Sequence, residues 1–177
     1  KFMCALPAGL GRVACLGDHD VWSGPQPIQN GLRDCGWQFL DNQHHLFPYR
    51  GGRILVTGLT HVYSRRLSSQ EVDALLAKAP EAELKVLLVH QPSPHILQAA
   101  ARYGYHLVLA GHTHGGQVLF HPFGKTVALS LVENHFFRGR KTIGTTTAVI
   151  TNGVGLTFVP LRYGARAEVT EITLSSR

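Results

Sequence analysis

The sequence predicts an α/β fold of layered sheets flanked by helices, with an antiparallel portion toward its carboxyl end. Three observations predict it. Two continuous apolar runs of strand length, "LKVLLVH" (84–90) and "YHLVLAG" (105–111), enclose the helical pattern "PHILQAAARYG" (94–104), which is the βαβ signature. An amphipathic helix, "SSQEVDALLAKAP" (68–80), precedes the first run. Beyond Gly116 the pattern changes to short runs rich in β-branched residues and separated by turns.

Each element has its own local reason. "RVACLG" (12–17) reads as a short buried strand that ends in the polar loop "DHDVWSGP". "PQPIQNGLRDCG" (25–36) is a helix with Pro27 in its first turn and Gly36 as its stop. "WQFLDNQ" (37–43) and "HHLFPYRGGRILVTGLT" (44–60) read as strands, the latter folded at Arg50-Gly51-Gly52. The helix at 68–80 has a serine cap ahead of Glu71, apolar Val72, Leu75 and Leu76, and a proline stop. Later strands are expected at 117–120, 126–132, 145–153 and 165–174. Continuous apolar strands such as 84–90 are expected to be covered on both faces.

Length and composition narrow the function classes. At 177 residues the chain is read as one domain, 1–177, and 44% hydrophobic residues allow a sizeable core. A net charge of +6 favours anionic partners, phosphates or an acidic membrane surface among them. The arginines are scattered and no basic run is interleaved with aromatics, which argues against a nucleic-acid groove. Cys4, Cys15 and Cys35 form no metal-type pair, and their odd number predicts reduced thiols rather than a disulfide framework. No run approaches the roughly 18 apolar residues of a membrane span. The cytoplasm or a cytoplasmic membrane face is therefore expected.

Chemistry-bearing residues gather after three predicted strands: "GDHD" (17–20), "HQP" (90–92) and "GHTHGG" (111–116). Ligands of open α/β sheets sit beyond such strand ends. Asp18, His19, Asp20, His90, His112 and His114 thus become candidates for one site. Imidazole nitrogen and carboxylate oxygen are donors that Zn, Mn and Fe accept. Each cluster alone has an ordinary explanation, a capped turn or a hydrogen-bonded core histidine; their joint occurrence does not. His61 and Tyr63 follow another strand end and are weaker candidates for substrate contact. His44, His45 and His121 read as surface residues, and Asn134-His135 with Arg138 and Arg140 as a solvated basic loop.

In order and spacing, "CLGDHD", "LLVHQP" and "AGHTHGGQV" resemble the later motifs of the calcineurin-like metallophosphoesterases, especially a bacterial subgroup whose members often carry an N-terminal membrane anchor. The tail, 152–174, resembles that subgroup's closing stretch. The resemblance implies an αββα sandwich of two sheets flanked by helices. It implies hydrolysis of a phosphomonoester or phosphodiester with two divalent ions (Mn, Fe or Zn), which clamp the phosphate and generate the attacking hydroxide. By position, Asp18 stands where the family has an asparagine ligand, and His90 and His112 complete that ion's protein ligands. His114 would bind the other ion. His19 would act at the leaving oxygen as acid or charge stabiliser, and Asp20 would orient His19 through its other ring nitrogen.

Two departures accompany the resemblance. A carboxylate at Asp18 adds negative charge, which is expected to tighten metal binding and to make the bound water less acidic. The family's opening D-x-H and G-D-x-x-D motifs are absent from these 177 residues. The chain is therefore expected to be the carboxyl-terminal portion of a larger catalytic domain, lacking amino-terminal strands, and inactivity of this chain alone would follow from the absent first-metal ligands. The alternatives are a degenerate member that binds one ion or none, and a non-catalytic module binding anions, nucleic acid or a membrane surface. A structural zinc site at His90, His112 and His114 ranks last, because no cysteine lies near them.

Overall fold

A computed structural model describes residues 2–120, 122–124, 127–128 and 136–175. Its centre is a six-stranded mixed sheet in the order β3-β4-β5-β6-β8-β7. The strands are β3 (Gln43–Tyr49), β4 (Gly52–Leu59), β5 (Leu84–Val89), β6 (Leu107–Ala110), β7 (Gly139–Ile143) and β8 (Thr146–Ile150). β4, β5, β6 and β8 run parallel, and β3 and β7 close the two edges antiparallel. A separate parallel pair joins β1 (Arg12–Ala14) to β2 (Trp37–Phe39), with α1 (Asp18–Trp22) and α2 (Gln26–Arg33) between them. The α/β class and the helix-flanked sheet are as the periodicity predicts.

Alternation along the parallel strands sorts their side chains onto two faces. One face, with Leu87, Val89, Val108, Ala110, Ala148 and Ile150, packs beneath α3 (Ser69–Ala77) and α4 (Pro94–Arg102). Val72 and Leu76 from α3, and Ile96, Leu97 and Ala100 from α4, complete a fully buried layer. The opposite face carries Val56, Val86 and Leu107 against Leu40, with Val13, Phe47, Leu88, Leu109, Val149 and Ile172 only partly covered. Gly58 lets this second layer approach, since a Cβ there would collide with Leu40. The strands are thus covered on both faces, one cover complete and the other partial.

Several local expectations change. β1 is three residues long and half-buried, shorter than the expected run of six. The edge strand β7 falls where no strand is expected, and 165–174 forms no strand although Ala165 is buried and Ile172 packs on the sheet. Residues 117–120 make isolated bridges only, Val118 to Tyr163 and Gly164, and Phe120 to Val127. The expected strand at 126–132 lies mostly outside the described residues, as do His121, Asn134 and His135. Reduced thiols are also corrected: Cys4 and Cys35, 31 residues apart in sequence, form a disulfide, and Cys15 is free. Burial, with Asp20 nearby, pushes the Cys15 thiol up to about 12. His44 is half-buried rather than on the surface, its Nδ1 2.8 Å from Thr57 Oγ1, which lies 2.6 Å from Tyr105 Oη. No helix among the described residues is long and apolar enough to cross a membrane.

Candidate metal centre

Parallel strands end together, so the residues just beyond β4, β5 and β6 share one edge of the sheet. Leu59 is in register with Val89, and Leu88 with Leu109, which brings His61, His90 and His112 to that edge. The turn after β1 brings Asp18 to it as the first residue of α1. Asp18 is buried, and its Oδ2 lies 2.9 Å from both His90 Nε2 and His112 Nδ1. The two ring nitrogens are 3.3 Å apart. The other oxygen, Oδ1, accepts from the Tyr63 backbone N–H at 2.6 Å and from Gln91 Nε2 at 3.2 Å.

Burial by itself would raise the Asp18 pKa. Hydrogen bonds from His112, His90 and the Tyr63 N–H outweigh it and hold the carboxyl well below the usual carboxylate range. The result is a buried anion facing two imidazole nitrogens. Donor atoms 2.9–3.3 Å apart have the spacing of neighbouring ligands on one ion with bonds of roughly 2.0–2.2 Å. Asp18, His90 and His112 therefore fit a divalent cation, and they are a group of possible metal ligands among the described residues.

The other predicted residues surround this triad. A cavity of about 440 Å³ is lined by Asp18, His19, Asp20, His90, His112 and His114, together with Trp22, Gln117 and 157–159. His114 belongs to its wall and stands outside the close triad. Burial and the Arg162 guanidinium push its pKa down, which keeps the ring neutral and its lone pair available. His19 Nε2 lies 2.9 Å from Thr157 Oγ1, and its ring meets Trp22 edge-on. Asp20 Oδ2 accepts from the Gly17 N–H at 2.8 Å, fixing the turn that carries both Asp18 and His19.

The histidine loop needs unusual backbone. His112, His114 and Gln117 have φ of 71°, 51° and 50°, in the left-handed region that most side chains avoid. Gly115, at φ 63°, lies so close to Asn152 that any Cβ there would strike its side-chain oxygen. Two residues that sequence reasoning left without a role hold this shape. Buried Gln117 donates to the carbonyls of Thr157 and Val159 and accepts from the Thr157 N–H, each at 2.8 Å. The Arg162 guanidinium donates to the carbonyls of His114, Asn152, Gly153, Gly155 and Ala165. Gln117 sits inside the quoted "GHTHGGQV", so its signal was present. Arg162 lies within the quoted tail, 152–174, but that resemblance assigned it no role.

His61 is buried, its Nδ1 accepting from the Leu67 N–H and its Nε2 3.2 Å from Ser93 Oγ. The Tyr63 ring packs edge-on against His112 and stacks with Trp22, at 5.3 and 6.3 Å between centroids. Arg138 donates to the Gly164 carbonyl and lies over the Phe137 ring.

No family model and no solved structure matches the chain. Among curated proteins it is 32% identical over 168 residues to Uncharacterized protein YpbG of Bacillus subtilis, covering 94% of this chain and 59% of that protein. To Uncharacterized metallophosphoesterase YkuE of the same organism it is 27% identical over 173 residues, covering 97% and 58%. To an Uncharacterized metallophosphoesterase of Helicobacter pylori (strain J99) it is 30% identical over 161 residues, covering 89% and 41%. The chain spans about half the length of these relatives. Likeness along nearly all of this chain to proteins of that name, joined to a carboxylate–histidine cluster at the strand ends, supports a metallophosphoesterase family assignment.

Proposed function

We propose that the chain is the carboxyl-terminal portion of a metal-dependent phosphohydrolase domain that cleaves a phosphomonoester or phosphodiester at a dinuclear centre. The observation that carries this reading is the triangle of buried Asp18 Oδ2 with half-buried His90 Nε2 and His112 Nδ1 at the wall of an open cavity. Asp18, His90 and His112 would hold one divalent ion, and His114 would contribute to a second. The bound ions would supply positive charge to the phosphoryl oxygens and acidify water. The sheet face whose apolar side chains are only partly covered supports the reading of this chain as a portion of a domain.

The chain's own residues do the rest. Gln91 and the Tyr63 N–H hold the far oxygen of Asp18, leaving Oδ2 directed at the two imidazoles. His19, on the cavity wall with Thr157 at its Nε2, is placed to give a proton to a leaving oxygen. Asp20 keeps His19 in place by closing the Gly17 turn.

The test uses the full-length protein. Metal analysis should find bound divalent ion, and p-nitrophenyl phosphate or bis-p-nitrophenyl phosphate should turn over with Mn. His112→Ala should lower metal affinity by about 10–100-fold or more and abolish turnover. A wild-type protein with neither metal nor turnover would sink the reading and leave an anion-binding module.

A further inference from the structure

A second cavity, of about 230 Å³, adjoins the first and shares Tyr63, His112 and Thr113 with it. Its other walls are Arg66, Gln91, Pro92, Ser93 and Pro94. Pockets that take a whole small molecule usually measure roughly 300–1,000 Å³, so this one has the size of a subsite. Its lining includes a guanidinium and no carboxylate.

The orientation of one hydroxyl sharpens its chemistry. Ser93 is the N-cap of α4, yet its side chain makes no capping bond. Ser68, in the same position before α3, does cap, accepting from the Glu71 N–H. Ser93 Oγ instead lies 3.2 Å from His61 Nε2. Because His61 Nδ1 accepts from the Leu67 N–H, the neutral ring carries its proton on Nε2 and donates it to Ser93 Oγ. Burial, which pushes the His61 pKa down to about 4, agrees with a neutral ring. This direction rules out His61 as a base for Ser93. It also leaves the serine proton free to donate into the cavity.

Charge comes from Arg66. Its neighbour Arg65 is engaged by Asp41 at 2.9 Å, whereas Arg66 lies over the Tyr63 ring, 5.1 Å from the centroid. A cation resting on an aromatic face keeps its hydrogen-bond donors available to an anion.

We propose that this cavity is an anion subsite for a second phosphate of the substrate, adjacent to the one hydrolysed, with Arg66 and the Ser93 hydroxyl as its donors. The proposal rests on the phosphohydrolase reading of the neighbouring centre. Three shared wall residues make the two cavities direct neighbours, and a diphosphate has the short connectivity that neighbouring phosphate sites call for. The diphosphate could be borne by a soluble nucleotide or by a lipid.

Calorimetric titration of the full-length protein with orthophosphate, pyrophosphate, ADP and farnesyl diphosphate tests it. Pyrophosphate should bind about tenfold tighter than orthophosphate, and Arg66→Ala should erase that preference. Arg66→Lys should restore part of it, and Ser93→Ala should weaken it less than Arg66→Ala. ADP binding tighter than farnesyl diphosphate, or the reverse, supports the subsite and identifies the carrier. Equal affinity of the wild type for orthophosphate and pyrophosphate, or a preference that survives Arg66→Ala, overturns it. An Arg66-dependent preference in a protein that turns over neither nitrophenyl ester overturns the catalytic reading and leaves the subsite standing.

Discussion

The helix-covered face of the sheet and the carboxyl edge of the same strands bury material in opposite ways. Under α3 and α4 the buried groups are Val72, Leu76, Leu87, Ile96, Val108 and Ile150, with no special backbone required. At the edge they are Asp18, His61, Gln91, Thr113 and Gln117, and His112, His114 and Gln117 adopt positive φ. Apolar burial is non-directional and scales with area, so the first region tolerates exchange of shape for stability. Polar burial is tolerated only when each atom meets a partner, so the second region fixes positions at a cost in stability. The core holds the edge together, and the edge carries the chemistry.

The largest effect that sharpens this comparison comes from the core. Ile96→Ala removes a fully buried side chain and should cost about 2–5 kcal/mol in urea unfolding. Metal bound per folded chain should stay level. A loss of metal in the folded fraction would break the division between the two regions.

The next effect lies at the edge and depends on pH. The unfolded His61 titrates near 6.5, whereas the folded ring stays neutral down to about 4 because it is buried. Between these values the unfolded chain takes up a proton that the folded one does not, so stability falls as pH falls through this window. A shift of this size corresponds to roughly 3 kcal/mol. Asp18 has a separate window. Its folded pKa is depressed by the His112 and His90 hydrogen bonds, so its contribution is full above the ordinary carboxylate value and fades below it. Thermal melts in chelator from pH 7 to 3 should show both, and His61→Asn should shrink only the upper one, to which His44, His95 and His114, their pKa values also lowered by burial, contribute. A flat wild-type curve between pH 6.5 and 4 would contradict the neutral, buried ring.

The smallest effect belongs to a helix end far from the chemistry. Ser68→Ala removes a capping box and should cost about 1 kcal/mol, read as a small drop in melting temperature. Pyrophosphate affinity should not follow it, because Ser68 lies on neither cavity wall. A coupled change would show that the start of α3 helps to shape the site.

Much of the edge was legible because its signals are local. "GDHD", "HQP" and "GHTHGG" follow strands whose periodicity is plain, and parallel strands in register must bring their ends together. Residues whose partners are remote were harder to read. Arg162 reaches His114 across 48 positions to a backbone carbonyl, and no spacing rule encodes that. The run 165–174 alternates like a strand, yet Ala165 and Ile172 bury their side chains without a ladder. His44, beside a hairpin turn, reads as surface because its partner Thr57 is supplied by the neighbouring strand and backed by Tyr105 from beyond α4.

The bond between Cys4 and Cys35 has a consequence for the site as well as for the fold. The closed loop contains β1, α1 and α2, and with them Asp18, His19 and Asp20. A ring of this length removes denatured-state freedom worth about 3–4 kcal/mol in the chain-entropy account. Within it, β1 and β2 share only a three-residue register, a small pairing to position the buried carboxylate. The crosslink shortens the search that returns Asp18 to its histidines after any local opening.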